Sequence, residues 1–289
     1  MHGWQRVGSR NARFQQWQTL LGNRTKRQRA GLFVVQGVRP ITLAVEQGWP
    51  VRELLVDGDR RLSRWAEDLL RVTDAEIVAL PGELIAELGE KEVEAAPEIV
   101  AVVEMPADDL ARIPIKADFL GVAFDRPSQP GNVGTLIRSA DAFGAHGVVV
   151  TGHAADVYDP RAVRASTGSL FGVPTVRTQS QREVVDWLAG AGAGAEAGAG
   201  AATEAGIQVT IVGTDEDGDT DIEDYDFCAP TLIVVGNETV GMSTAWRDAC
   251  DRVLSIPMGG IASSLNAANA GTVVLYEAAR QRRGGKSAF

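Results

Sequence analysis

"DFLGVAFDRPSQPGNVGTLIRSADAFGAHGVVVTG", Asp118–Gly152, reads as strand, helix, strand. Its ends, "DFLGVAFD" and "GVVVTG", are short apolar runs that suit buried strands. Between them, Pro130–Ala145 sets Val133, Leu136, Ile137, Ala140 and Gly144 on one stripe, the i, i+3, i+4, i+7 spacing of an amphipathic helix. Two polar residues stand apart from this pattern: Asn132 at the mouth of the helix, and Arg138, which points away from the stripe. Arg138 reads either as a solvated cation paired with Asp141 or as a functional group. The helix alone does not decide.

Working outward, the same alternation recurs. Leu32 to Gln36 reads as extended, Ile41 to Gln47 as helical and Val51 to Val56 as extended. "RRLSRWAEDLLRVTD" then reads as an amphipathic helix, "EIVALP" as a strand, "GELIAELGE" as a helix and "EIVAVVEMP" as the strand that closes a first α/β domain, residues 1–106. The polar, proline-punctuated residues 107–117 read as a linker. A second α/β domain, residues 118–289, continues through a helix start at "DPRAVRASTG" and strands at "VPTVRT", "IQVTIVGTD", "PTLIVVGNE" and "RVLSIPMGG". It ends in a helix over "SSLNAANAGTVVLYEAARQRR", with serine suited to its N-cap and arginines before Gly284 and Gly285. An Ala/Gly-rich stretch at about 189–206 reads as a flexible surface insertion.

The net charge of −10 argues at first against a nucleic-acid partner. Its distribution reverses that reading. Residues 1–30 carry Arg6, Arg10, Arg13, Arg24, Lys26, Arg27 and Arg29 and no acid, whereas "TDEDGDTDIEDYD" carries eight acids and no base. A basic end can meet phosphates while an acidic loop stays in solvent; an idle basic tail is the competing reading. With two cysteines, and three histidines lacking ligand spacing, neither a disulfide framework nor a metal site is expected. No membrane span or signal sequence is legible, which points to the cytoplasm.

"IVVGNETVGMS", Ile233–Ser243, imitates a phosphate loop, but Met242 stands where the lysine belongs, so an NTPase is not expected. No G-x-G-x-x-G follows a strand, which removes the dinucleotide-binding signature. The remaining strand ends turn through small residues ("GTD", "GNE", "IPMGG"). At one edge of a parallel sheet such turns form a crevice able to hold an adenine and ribose.

Three stretches taken together, "FDRPSQPGNVGTLIRSADAFGA", "LIVVGNETVGMS" and "LSIPMGGIASSLNAANAGTVVLYEAAR", resemble in order and spacing the motifs of the SpoU/TrmH family of S-adenosylmethionine-dependent RNA ribose 2'-O-methyltransferases. The resemblance covers roughly residues 118–284. The basic segment and the strands after it are similar to the L30e-like substrate-binding domain that precedes this fold in many members. "SRNARFQQW", "HAADVYDP" and "SSLNAANA" resemble members that methylate 23S ribosomal RNA and confer avilamycin (orthosomycin) resistance. The resemblance implies a SPOUT α/β domain with a C-terminal trefoil knot, S-adenosylmethionine as cofactor, a homodimer and an RNA partner. The third motif departs from the commoner "SLNVSVA", since Ala267, Ala268 and Asn269 follow "SLN"; this puts the packing of that helix in question more than catalysis.

Carried over by resemblance, Asn132, Arg138, Glu238, Ser264 and Asn266 are the candidate catalytic residues. Gly236, Ile256 and Leu265, with Thr214, Val235, Asn237 and Met258 as neighbours, are the candidate cofactor site. Arg10, Arg13, Lys26, Arg27, Arg29 and Arg39 are the candidate RNA contacts. A guanidinium is a reluctant base, so Arg138 is expected to hold a phosphate and stabilise charge on the 2'-oxygen. Glu238, Ser264 and Asn266 also admit ordinary readings as a turn residue and helix caps. Two rivals stand beside this reading: a non-catalytic RNA-binding protein with a degenerate methyltransferase domain, and a Rossmann-type enzyme acting on a small molecule.

Overall fold

The computed structural model describes residues 4–192, 206–262 and 264–285. The chain divides into two compact units, Met1–Pro106 with Asp156–Gly172, and Ala107–Ala155 with Val173–Phe289. The expected insertion falls mostly on residues outside the described ones.

The first unit holds β1 (Gln5–Arg6), α1 (Ala12–Gly22), α2 (Arg24–Ala30), β2 (Leu32–Gln36), α3 (Val38–Glu46), β3 (Val51–Asp57), α4 (Arg64–Val72), β4 (Glu76–Leu80), α5 (Gly82–Leu88) and β5 (Ile99–Glu104). Its sheet runs β1-β4-β3-β5-β2. β3 pairs parallel with β4 but antiparallel with β5, which also pairs antiparallel with β2. The basic N-terminus is not an idle tail. Phe14, Trp17 and Leu20, spaced i, i+3, i+6 on α1, are buried against Val34, Leu55 and Val102 of the sheet. The Asn11 side chain caps α1 by accepting from Phe14 N, and Asn23 caps α2 by accepting from Lys26 N.

The second unit begins with β6 (Leu120–Asp125), α6 (Pro130–Ala142) and β7 (Gly147–Thr151); α7 (Pro160–Ser166), next in sequence, is part of the first unit. Then come β8 (Thr175–Thr178), α8 (Gln181–Gly192), β9 (Thr210–Thr214), β10 (Thr220–Asp221), β11 (Thr231–Val235), α9 (Thr244–Ala249), β12 (Arg252–Ser255) and α10 (Ala267–Gly285). The seven strands lie in the order β10-β12-β9-β11-β6-β7-β8, every pair parallel. Such a sheet places its ligand crevice beyond the carboxyl ends of its strands. α6 buries Val133, Leu136, Ile137 and Ala140 as its periodicity requires, and stops short of Gly144, which takes left-handed backbone at φ 75°.

α10 packs against α6 and β11. Gly271 permits the approach, because a Cβ there would fall 2.6 Å from Leu136 Cδ1 and 3.0 Å from Val235 Cγ2. Ser139 and Thr272 hydroxyls meet at 2.7 Å across the same seam. The "AAN" departure is accommodated: Ala267 and Ala268 are buried and Asn269 is exposed. The cap of α10 is Asn266, whose Oδ1 accepts from Ala268 N and Asn269 N, rather than a serine, and the helix continues through Gly284 and Gly285. Arg282 bonds the carbonyls of Phe119, Phe227 and Ala229 and so fastens the end of α10 to the sheet. Among the described residues no helix is long and apolar enough to cross a membrane.

The assignment of Asp156–Gly172 to the first unit corrects the sequence-based boundary, and the reason is electrostatic as well as apolar. Arg27 is only 2% exposed, and its Nε and Nη2 both lie 2.8 Å from Asp156 Oδ2. Nη1 donates to the carbonyls of Leu20 at 2.7 Å and Leu21 at 3.0 Å. Phe33 packs on Tyr158 and Phe171. Removing one partner of such a buried pair strands the other charge, at a cost of about 3–5 kcal/mol. Asp156→Ala should therefore lower unfolding stability in urea by that amount, and Arg27→Met combined with Asp156→Leu should recover much of it. A loss below ~1 kcal/mol, the scale of an exposed pair, would contradict this assignment.

Candidate functional site

The site lies wholly in the second unit, at the carboxyl ends of β9, β11 and β12. A cleft of about 430 Å³ opens there, lined by Thr214, Val235, Gly236, Asn237, Ile256, Met258 and Leu265, all seven of the candidate cofactor residues, together with Glu238 and Ser264. Asp215, Glu216, Val240, Leu254, Ala267 and Ala270 also line it. None of these six stands out in the sequence: Asp215 and Glu216 are submerged in a run of acids, and the others are ordinary apolar positions.

Glu238 organises the rim. Its Oε2 accepts from Ser128 N and Ser128 Oγ, both at 2.9 Å, and its Oε1 accepts from Gln129 N at 3.2 Å and Asn132 Nδ2 at 2.9 Å. Asn132 Oδ1 in turn accepts from Asn266 Nδ2 at 3.2 Å. Asn132, Glu238 and Asn266 thus form one chain of hydrogen bonds, although they are far apart in sequence. Burial by itself raises the Glu238 carboxyl, but the bonds from Ser128 and Asn132 outweigh it and hold the group below its ordinary value. Glu238 is therefore a carboxylate with its lone pairs occupied, suited to fixing Asn132 rather than to taking a proton. Ser128 and Gln129 were not singled out from sequence; the signal available was the turn "RPSQP" just before the helix.

The turn from Gly236 to Met242 is tight. A Cβ on Gly236 would lie 2.4 Å from Met242 N and 2.5 Å from Gly241 C, so the glycine is required by the chain's own return rather than by a ligand. Asn237 exchanges both backbone hydrogen bonds with Gly241, and its Oδ1 accepts from Thr239 N and Val240 N. It builds the cleft wall more than it offers groups to a ligand.

Arg138 is exposed on α6 and has no hydrogen-bond or ion-pair partner among the described residues; the pairing with Asp141 does not form. Of the candidate RNA contacts, Lys26, Arg29 and Arg39 are exposed. Arg10 is exposed but paired with Glu87, and Arg13 is partly buried between Glu53 and Glu76. Arg27 is a correction: buried against Asp156, it has no surface to give to a phosphate. Among the described residues no group of His, Cys, Asp and Glu is arranged to hold a metal.

Comparison with known proteins gives a consistent picture. Residues 11–101 match the SpoU L30e-like domain and residues 120–276 the SpoU rRNA Methylase family. The chain is 62% identical over 283 residues to a 23S rRNA (uridine(2479)-2'-O)-methyltransferase of Streptomyces viridochromogenes, covering 98% of this chain and 94% of that one. The crystal structure of the SpoU methyltransferase AviRb from the same organism, in complex with AdoMet, superposes with a TM-score of 0.87 at 62% identity, covering 95% of this chain and 99% of that one. An AdoMet-bound rRNA methyltransferase from Sinorhizobium meliloti matches at TM-score 0.81 and 26% identity, covering 96% and 97%.

The Glu238 clamp has a signed consequence for pH. A carboxyl whose folded pKa is depressed contributes stability above its unfolded value, near 4.5, and that contribution is lost as pH falls through the lower folded value. Glu238→Gln forces an NH2 group against N–H and O–H donors, so the variant should be less stable at neutral pH and the difference from wild type should shrink below pH 4.5. Thermal unfolding from pH 7 to 3 measures this, and a constant difference across that range would refute it.

Proposed function

The chain belongs to the SpoU rRNA methylase family, and we propose on that premise that it methylates a ribose 2'-hydroxyl of 23S ribosomal RNA, with S-adenosylmethionine as donor. The observation that carries this reading is the convergence of one cleft, at the carboxyl edge of a parallel sheet, with the Asn132–Glu238–Asn266 chain at its rim. The residues present fit the cofactor. A volume of about 430 Å³ falls in the ~300–1,000 Å³ range of small-molecule sites. Leu254, Ile256, Leu265 and Ala267 offer apolar surface to a purine, and Asp215 and Glu216 offer acceptors to hydroxyl or ammonium groups.

When bound, S-adenosylmethionine supplies an electrophilic methyl group. The chain's own residues supply placement and charge. Asn132, held by Glu238 and Asn266, presents a fixed amide to the target ribose. Arg138, with no partner among the described residues, is available to hold the neighbouring phosphate and to stabilise negative charge on the 2'-oxygen. Ser264 borders both ligands. Orientation of this kind contributes about 7–11 kcal/mol to a reaction between two bound partners. Lys26, Arg29 and Arg39, with Arg10 in a paired role, bring RNA phosphates to the first unit.

The target nucleotide is a uridine, as in the Streptomyces relative, and its methylation protects the ribosome from orthosomycin antibiotics. The protein acts in the cytoplasm as a homodimer, with the C-terminal segment knotted.

Labelled methyl transfer to 23S rRNA, with 2'-O-methyl mapping, tests the reading; no transfer and no cofactor binding would sink it. Arg138→Ala should lower the single-turnover rate by about 10²–10³ with cofactor affinity little changed, and Arg138→Lys should restore only part, having a point charge without the planar fork. Replacing Lys26 and Arg29 by alanine should reduce the salt slope of RNA binding by up to about two phosphate contacts. An unchanged slope would remove α2 from the RNA-binding surface, and sedimentation as a monomer at micromolar concentration would overturn the dimer.

A further inference from the structure

The turn that forms the cofactor wall is held from outside by one corner of the fold, at the end of β6. Asp125 is 2% exposed. Its Oδ2 accepts from Ser243 N at 2.7 Å, and its two oxygens take Arg126 Nε and Nη2, each at 3.0 Å. The Arg126 carbonyl accepts from Asn237 Nδ2 at 2.7 Å, and Arg126 Nη2 lies 3.5 Å from the Gly241 carbonyl. Both ends of the turn, Asn237 and Gly241–Ser243, therefore rest on two consecutive residues.

Arg126 holds this position against a backbone cost. Its φ is 50°, a left-handed conformation that favours glycine and is unfavourable for a long side chain. The bend that follows β7 admits it: Gly152, at φ 70°, would place a Cβ 2.9 Å from Arg126 Cγ. A glycine at 126 would relieve the backbone, and a side chain at 152 would fill the space. The sequence has the reverse arrangement, in which strain is accepted and a guanidinium is kept between Asp125 and the turn.

We propose that Arg126 is a positioning residue for the methyl-donor cleft: it acts through the Asn237–Gly241 turn, fixing the wall against which the cofactor lies without touching the reacting atoms. The inference rests on the reading of the cleft as an S-adenosylmethionine site. It predicts an effect on affinity rather than on chemistry, because the turn carries cleft lining while Arg138 stands on α6.

The experiment uses the full-length protein in two measurements. In protein without cofactor, hydrogen exchange at the Gly241 and Ser243 amides should accelerate tenfold or more in Arg126→Gly. In calorimetric titration, Arg126→Gly should weaken S-adenosylmethionine binding about tenfold, and Arg126→Lys by a smaller factor, with the loss falling on KM for the cofactor rather than on kcat. Val149→Ala, in the β7 core away from the turn, controls for general destabilisation and should keep wild-type affinity. Unchanged amide exchange in Arg126→Gly overturns the proposal, as does unchanged affinity alongside faster exchange, or an equal loss of affinity in Val149→Ala. Wild-type protein that binds no S-adenosylmethionine refutes the cofactor reading, whereas the exchange measurement still judges whether Arg126 holds the turn.

Discussion

Four donors meet two oxygens at Glu238, and the geometry of the site depends on that meeting. β6 and β11 are neighbours in a parallel sheet, so the loops leaving them emerge side by side. Nothing in the strands themselves fixes how those loops sit. Glu238, on the loop after β11, reaches Ser128, Gln129 and Asn132 at the entry to α6 and ties one exit to the other. Asn266 extends the tie to the start of α10, so three segments remote in sequence share one network. In a partly desolvated setting such a network is stable only when each member is satisfied, which makes the arrangement rigid and sensitive to single substitutions.

The same logic separates two jobs that a shared cleft would otherwise blur. Glu238 faces Asn132 and the entry to α6, whereas Asp125 and the Arg126 carbonyl bond the turn from Asn237 to Ser243. Both carboxylates act by accepting backbone N–H groups from loops that have no regular structure of their own. A site built on strand ends needs such anchors, because its lining residues are on loops while their precision comes from the sheet beneath.

Apart from β1 and β10, strands of both units were legible as short, largely apolar runs ended by turn residues, and α6 because its stripe repeats at helical spacing. The cleft was legible through three motifs together, none of them decisive alone. What stayed hidden has physical causes. α1 sets Phe14, Trp17, Leu20 and Leu21 among polar and basic neighbours, so its amphipathicity is faint. α9 is six residues long, and β10 is two residues inside an acidic run. Arg27 looks identical in sequence to Lys26 and Arg29, and its burial depends on a carboxylate 129 positions away. Gly236 belongs to one of the small-residue turns that suggest a ligand crevice, whereas its missing side chain makes room for Gly241 and Met242. Local pattern reports which residues want to be buried; it does not report which distant group will meet them.

The interleaving of the two units has a consequence for synthesis. A chain leaving the ribosome at ~5–20 residues per second presents residue 106 about 3–13 s before residue 172. During that interval the sheet of the first unit can assemble, but the guanidinium of Arg27 has no carboxylate and Phe33 lacks its partners Tyr158 and Phe171. The first unit is thus not complete when the strands of its own sheet have been translated. It waits, with Arg27 and Phe33 lacking these partners, for a segment that is translated only after β6, α6 and β7 of the second unit have emerged, and a nascent chain halted in that window would expose an incomplete core to chaperones and proteases.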